Sequence, residues 1–218
     1  MLLEELRKQV IEAGKAISKS GMVASTQGNI SACDRELGLL AITPSGMDYD
    51  QITPADIVVT DFYGNIKDGD KKPSSELPVH AYYFRVRKDI NALVHTHSPF
   101  ATALSLVNKE VPPVMAQLAE AVGGSVPVAP FVIGGSEEMG VISARVMGEK
   151  NAVLLKNHGV IAVGKNLNSA LFVAMMVEDT AKVYTYACIH GTPDLIPEEA
   201  NEEIREWFKQ GYGQGDLS

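Results

Sequence analysis

Apolar residues recur with helical spacing at the start of the chain. Steps of three and four residues separate Leu3, Leu6, Val10, Ala13 and Ile17. This spacing places apolar side chains on one face of a helix, and Gly21 follows where such a helix would end. Residues 2–20 are therefore predicted to form an amphipathic helix.

Helical and strand-like patterns then alternate along the chain. Short β-prone runs predict strands at Leu37–Thr43, Asp56–Thr60, Ile90–His97, Ala152–Lys156 and Val160–Val163. Capping residues and periodicity predict helices beginning at Ser98, Ser136, Asn168 and Pro197, the first two capped by their serines. No linker or repeat interrupts this order, so we expect one mixed α/β domain over residues 1–218.

Composition and charge exclude several classes of partner. The 218 residues are 45% hydrophobic and 21% charged, which is typical of a globular domain. Lys and Arg number 19 against 27 Asp and Glu, and no basic run is present, so we expect no nucleic acid partner. No apolar stretch approaches the roughly 20 residues that span a bilayer, so we expect no membrane anchor.

The two cysteines and the first residues predict a cytoplasmic protein. Cys33 and Cys188 lack a nearby second Cys or a His at ligand spacing. This usage fits a reducing compartment and predicts no disulfide. Residues 1–19 alternate charged and apolar positions and do not resemble a signal peptide.

Histidines form the first candidate site. His95 and His97 end a predicted strand, where alternate side chains share one face, so both imidazoles can bind one metal ion. A catalytic zinc site needs a third ligand, and His158, in the turn Asn157-His158-Gly159, is the best candidate. His80 and His190 are expected to be structural or exposed.

Small polar residues form the second candidate site. Ser75 is predicted to cap a helix whose first turn contains Glu76 and Pro78. The loops at residues 26–29 and 44–46 offer backbone N–H groups and hydroxyls without bulky side chains. Such loops and helix N-termini bind phosphate well. Ordinary turns and a simple helix cap remain open as alternatives.

Five short motifs, in this order, resemble the zinc-dependent class II sugar-phosphate aldolases, the family of the fuculose-phosphate aldolases and ribulose-phosphate epimerases. They are Gly28-Asn29, Pro44-Ser45-Gly46, Ser74-Ser75-Glu76, His95-Thr96-His97 and Asn157-His158-Gly159. The fuculose-phosphate aldolases are the most similar members. The resemblance implies an α/β fold with a central, mostly antiparallel sheet flanked by helices. It also implies a homotetramer with active sites at subunit interfaces.

The same resemblance implies the roles of individual residues. One zinc ion per subunit would be bound by His95, His97 and His158, with Glu76 at the fourth position when substrate is absent. Glu76 would also be the general base. The substrate phosphate would contact Gly28, Asn29, Ser45, Gly46, Ser74 and Ser75. The implied reaction is reversible cleavage of a ketose 1-phosphate, a small sugar phosphate, to dihydroxyacetone phosphate and an aldehyde such as lactaldehyde.

One position departs from the family pattern. The fuculose-phosphate aldolases carry a proton-donating tyrosine about twenty residues after the two histidines. The corresponding stretch here, Val114–Glu120, contains no tyrosine. Glu120 and Gln117 are nearby candidates for the donor, and Tyr212 matches a C-terminal tyrosine of the family.

Three other functions occur on the same fold. Pentulose-phosphate 4-epimerases typically carry Asp where this chain has Glu76, which argues against epimerisation. Methylthioribulose-phosphate dehydratases use a Glu after the zinc ligands, so Glu120 keeps a dehydratase open. The adducin head domain is a binding module that lacks the metal-binding residues, whereas this chain has all of them.

Overall fold

A mixed β-sheet forms the centre of the molecule. The computed structural model describes residues 1–209, and Tyr212 lies outside them. Within these residues the strands are β1 (Asn29–Asp34), β2 (Leu39–Ile42), β3 (Val58–Asp61), β4 (Ile66–Asp68), β5 (Ala92–Thr96), β6 (Val128–Ala129), β7 (Ala152–Leu155) and β8 (Gly159–Gly164). They form one sheet of eight strands in the order β4-β3-β2-β1-β5-β8-β7-β6.

Strand directions confirm the predicted fold class. Every neighbouring pair is antiparallel except β6 and β7, which are parallel. The helices are α1 (Glu4–Lys19), α2 (Leu77–Val86), α3 (Pro99–Leu106), α4 (Ala116–Val122), α5 (Glu137–Met147), α6 (Leu167–His190) and α7 (Glu198–Lys209). None of the helices within residues 1–209 combines the length and the apolar character needed to cross a membrane.

Helices cover both faces of the sheet. On β5, Ala92 and Val94 face the hydrophobic cluster that includes residues of α1 and α6, whereas Leu93 faces the cluster formed with α2 and α5. Successive side chains of a strand point to opposite faces, so an apolar residue at every position is what a sheet covered on both sides requires. The central strand β5 is accordingly buried at every position.

Several predicted element boundaries are wrong. The sequence patterns missed β1, β4, β6 and α4. The sequence of β1, Asn-Ile-Ser-Ala-Cys-Asp, contains a single β-branched residue, Ile30, and no aromatic one, so pairing with β2 and β5 determines its conformation. Ser98 makes no side-chain cap to α3, because its hydroxyl is hydrogen-bonded to the Thr96 hydroxyl, 2.7 Å away. Ser136 does cap α5 by accepting a hydrogen bond from the Met139 N–H.

A buried arginine connects α1 to the edge of the sheet. The Arg7 side chain is 1% exposed, and its guanidinium donates to the carbonyls of Pro54 and Ile57 and to the Asp68 carboxylate, 2.7 Å away. A buried charge is tolerated only when it is paired in this way. The contact with Asp68 therefore stabilises the packing of α1.

Replacement of Asp68 should change the pH dependence of stability. A hydrogen bond from the Leu2 backbone and the Arg7 charge hold the pKa of Asp68 below its usual range, against the effect of burial. A carboxyl group with a lowered folded-state pKa stabilises the protein above its unfolded pKa, roughly 3.9, and loses this contribution as the pH falls. Urea unfolding at pH 7 and pH 3.5 should show a smaller acid-induced loss for Asp68→Asn than for wild type. Equal losses would contradict this account.

Candidate active site

The structure brings three imidazoles together at one end of the central strands. His95 lies in β5, His97 follows it, and His158 occupies the turn between β7 and β8. One ring nitrogen of each lies within 4.8 Å of those of the other two. This spacing is compatible with a single bound cation, which would draw the nitrogens to ligand distance.

The turn that carries His158 requires a glycine. A Cβ atom at Gly159 would lie 2.1 Å from the Thr96 carbonyl oxygen and 3.2 Å from the His95 ring. The absent side chain therefore allows β8 to approach β5 closely. Asn157 has a φ of 58°, a left-handed conformation that Asn tolerates better than most residues. The sequence Asn-His-Gly thus turns the chain tightly and places His158 beside His95.

Gly159→Ala should destabilise the protein. Overpacking of a filled site costs about 1–3 kcal/mol, and here the clash is with backbone. We expect a lower free energy of unfolding in urea, measured with chelator present so that metal binding does not contribute. Gly191→Ala is the matched control, because a Cβ there meets nothing within 4 Å. Equal stabilities of the two variants would refute the close-approach argument.

Hydrogen bonding fixes the proton on His95. Its Nδ1 lies 2.9 Å from the Val160 carbonyl oxygen and donates to it. In the neutral ring the lone pair is therefore on Nε2, which lies 3.1 Å from His97 Nε2 and 3.2 Å from Glu76 Oε2. Lone pairs this close need a proton or a cation between them.

Burial favours the neutral imidazoles that a metal requires. Desolvation lowers the pKa of His97 to about 4, and the neighbouring histidines lower it in the same direction. Desolvation also lowers the pKa of His158, against the opposing charge of Glu76. A metal binds the neutral imidazole, so these residues fit a divalent cation.

The Glu76 carboxylate lies against the three imidazoles. Its Oε1 lies 3.4 Å from His158 Nε2, and its Oε2 accepts a hydrogen bond of 3.1 Å from Asn29 Nδ2. Burial alone would raise the pKa of Glu76, but the interactions with the histidines and Asn29 outweigh it, and the pKa lies below its usual range. The side chain is therefore an anion beside the three imidazoles.

The predicted cap at Ser75 is wrong. Helix α2 begins at Leu77, with Glu76 at the N-cap position and no side-chain cap. The Ser74 hydroxyl instead accepts a hydrogen bond from the Glu76 N–H, 3.2 Å away. Glu76 is consequently held by its backbone at the helix start, and its carboxylate is available to face the histidines.

A polar cavity adjoins the histidines. It measures about 490 Å³ including its open mouth. Its lining contains no Lys or Arg among the described residues and consists of Thr26, Gln27, Gly28, Asn29, Pro44, Ser45, Gly46, Ser74, Ser75, Glu76, His97 and His158. The structure therefore brings together all six residues for which the resemblance implied phosphate contacts.

Other candidate residues lie away from the cavity. Glu120 is half-buried on α4, which packs against α6 and α7, and burial raises the pKa of its carboxyl. Gln117 is exposed on the same helix, and His190 is exposed at the end of α6. Neither Glu120 nor Gln117 lines the cavity.

Sequence reasoning missed two contributors to the site. Gly134 lies against Glu76 and His158, and a Cβ atom at this position would be 3.4 Å from both Glu76 Oε1 and the His158 ring. His80 is buried and hydrogen-bonded to Asn29. The adjacent glycines Gly134 and Gly135 indicate a loop in the sequence. The position of His80 along the chain, in contrast, gives no indication that it contacts Asn29.

Comparison with known proteins identifies the family. Residues 8–185 match the model described as Class II Aldolase and Adducin N-terminal domain. The chain belongs to the class II aldolase family. It is 41% identical over 214 residues to the 5-deoxy-D-ribulose 1-phosphate aldolase of Bacillus thuringiensis serovar kurstaki, covering 98% of this chain and 100% of that protein.

Two further similarities involve fuculose-phosphate aldolases. The L-fuculose phosphate aldolase of Escherichia coli K12 is 36% identical over 200 residues, covering 92% of this chain and 91% of that protein. A solved structure of an L-fuculose 1-phosphate aldolase superposes with a TM-score of 0.92 at 37% identity, covering 96% of this chain and 98% of that one. The prediction of a class II aldehyde-lyase close to the fuculose-phosphate aldolases is confirmed.

Proposed function

We propose that this class II aldolase reversibly cleaves a ketose 1-phosphate to dihydroxyacetone phosphate and a small aldehyde. The observation that carries the proposal is the position of Glu76, whose carboxylate lies within 3.4 Å of two imidazoles of the triad and lines the adjoining polar cavity. The names of the similar proteins support the substrate class, with 5-deoxyribulose 1-phosphate and fuculose 1-phosphate as our first candidates.

We assign one zinc ion per subunit to His95, His97 and His158. Three neutral imidazoles are a typical protein donor set for catalytic zinc, in which the fourth position is kept for water or substrate. When bound, the metal supplies a Lewis acid that stabilises negative charge developing on the substrate oxygens. Glu76 then serves as the base that substrate displaces from the metal-binding group.

The steps of condensation follow from the position of Glu76. Its carboxylate removes a proton from the hydroxymethyl carbon of dihydroxyacetone phosphate, and the electron pair left on that carbon forms the new bond to the aldehyde carbon. The aldehyde oxygen then takes up a proton. Glu120 and Tyr212 are our candidates for this proton donor. Cleavage is the same sequence in reverse.

Neutral groups hold the phosphate in this proposal. The loops at Gly28–Asn29, Ser45–Gly46 and Ser74–Ser75 line the cavity with backbone and hydroxyl groups and without a cationic side chain, and the last pair precedes the N-terminus of α2. The dipole of this helix favours an anion there. The Asn29 side chain also lines this cavity, where it is hydrogen-bonded to Glu76 and His80.

Ser75→Ala should weaken binding of the phosphorylated substrate. A hydrogen bond to a charged group is worth about 1.5–3 kcal/mol, so we expect KM to rise about tenfold or more. The unphosphorylated ketose should be processed equally by Ser75→Ala and wild type. Ser20→Ala, at the end of α1, is the control. Unchanged KM for the phosphorylated ketose would exclude Ser75 from the phosphate site.

A dehydratase acting on methylthioribulose 1-phosphate is the second candidate. Glu120, whose carboxyl pKa is raised by burial, would serve this reaction from a neighbouring subunit, because it does not line the cavity of its own chain. Incubation with 5-deoxyribulose 1-phosphate, fuculose 1-phosphate and methylthioribulose 1-phosphate separates the two functions. We expect dihydroxyacetone phosphate from at least one of them. A dehydrated product from methylthioribulose 1-phosphate, with no dihydroxyacetone phosphate from any of the three compounds, would overturn the aldolase assignment.

The proposal extends to the protein as a whole. We take residues 1–218 as one class II aldolase/adducin-like domain of a cytoplasmic enzyme, which the match over residues 8–185 and the single sheet support. We further propose a homotetramer with active sites at subunit interfaces, where a neighbouring subunit can supply the proton donor. Light scattering of the purified protein tests this assembly, and a monomer at catalytic concentration would refute it.

A further inference from the structure

A fourth buried imidazole lies behind the metal-binding group. His80, on α2, is 1% exposed and lines no part of the cavity. Its Nδ1 lies 2.5 Å from the Ser31 hydroxyl, and its Nε2 lies 2.5 Å from Asn29 Oδ1. Both ring nitrogens therefore have partners within the protein.

The direction of each hydrogen bond follows from Glu76. A carboxylate only accepts, so the Asn29 amide must donate its N–H to Glu76, which leaves Oδ1 facing His80. Because Oδ1 only accepts, His80 carries its proton on Nε2. The ring is neutral in its buried site, so Nδ1 accepts from the Ser31 hydroxyl. The chain of donors runs from Ser31 through His80 and Asn29 to Glu76.

We propose that His80 is a positioning residue that orients the base Glu76 through Asn29. This inference rests on the proposed function, in which Glu76 moves the proton. Without the His80 donor, Asn29 Oδ1 would be buried and unpaired, which is costly. Asn29 would then be held by one of its two hydrogen bonds only, so the donor that fixes Glu76 Oε2 would be less well ordered.

Variants at His80 separate positioning from packing. Loss of a residue that orients a site group typically costs about 10–100-fold, so we expect His80→Leu to lower kcat by that factor while KM changes by less than about twofold. His80→Gln keeps an N–H donor and an acceptor and should recover most of kcat. Tyr83→Phe, on the same helix as His80, is the control, because it breaks a buried hydrogen bond of 3.1 Å to Ser143 on α5. It should lower the melting temperature and leave kcat unchanged.

Ser31→Ala continues the test if His80→Leu does not fold. Ser31→Ala removes the first donor of the hydrogen-bond network with little change in volume. It should lower kcat, whereas Tyr83→Phe should not. An unchanged kcat in His80→Leu, or in Ser31→Ala where the first variant is unfolded, would overturn the inference. A drop in kcat shared by Tyr83→Phe would also overturn it, since any loss of packing would then suffice.

The ring tautomer supplies a readout that does not depend on turnover. Nitrogen NMR of ¹⁵N-histidine-labelled wild-type protein should show His80 as the neutral ring with its proton on Nε2. A proton on Nδ1 would overturn the inference even in a fully active enzyme. If the wild-type chain cleaves no ketose 1-phosphate, the proposed function fails and the positioning role fails with it. If the wild-type chain is active and kcat is unchanged in His80→Leu and Ser31→Ala, only the positioning role of His80 is refuted, and the proposed function stands.

Discussion

Protein stripped of its divalent metal should lose at least about a thousandfold in turnover while remaining folded. The Lewis acid contributes several kcal/mol to the transition state, and about 4 kcal/mol corresponds to this factor. The apolar core lies between the sheet and its helices and does not need the ion to form. Metal analysis, circular dichroism and a turnover assay before and after chelation measure the effect, and added zinc should restore turnover.

Histidine variants provide the matched control for metal removal. His158→Ala should fail to retain the metal after dialysis, because two imidazoles remain of the three. His190→Ala removes an exposed histidine at the end of α6 and should retain both metal and turnover. Full activity in protein shown to be free of metal would contradict the assignment of the triad.

Glu76→Gln should fold normally and turn over about 10²–10⁴-fold more slowly, the usual contribution of a positioned general base. This range corresponds to roughly 3–5.5 kcal/mol of transition-state stabilisation. Glutamine has the size of glutamate and can still accept the hydrogen bond from Asn29, so the change removes basicity and leaves the packing. Steady-state kcat and thermal unfolding together measure the two effects.

A second carboxylate serves as the control for Glu76. Half-buried Glu178 accepts hydrogen bonds of 3.0 Å from the backbone N–H groups of Phe100 and Ala101, at the start of α3. Glu178→Gln should lower stability and leave kcat unchanged. Near-normal turnover in Glu76→Gln would show that Glu76 is not the general base and only occupies the N-cap position of α2.

Local sequence patterns predicted those parts of the site whose geometry is local. His95 and His97 share a face because alternate residues of a strand do, and the turn at residues 157–159 follows from Asn and Gly. The long amphipathic pattern also located α1 correctly. In each case, spacing along the chain determines the structure.

Features that depend on sheet order were not predictable in this way. Asn29 and Glu76 are 47 residues apart, and their contact exists because β1 pairs with β5 and α2 packs on the same sheet. The hydrogen bond between His80 and Asn29 has the same origin. The sequence around Glu120 likewise gives no information on which surface faces that residue. The Ser75 cap is absent because the Leu77 N–H, from which a capping Ser75 would accept, donates to the Ser74 carbonyl, and Pro78 has no N–H.

Deuterium exchange into dihydroxyacetone phosphate tests the central claim most directly. The zinc-loaded protein is incubated with this single substrate in D₂O, without aldehyde, and the hydroxymethyl protons are followed by NMR. The account predicts replacement of one proton by deuterium in wild type and strongly reduced exchange in Glu76→Gln. No exchange with wild type, or equal exchange with the variant, would contradict aldol chemistry at Glu76.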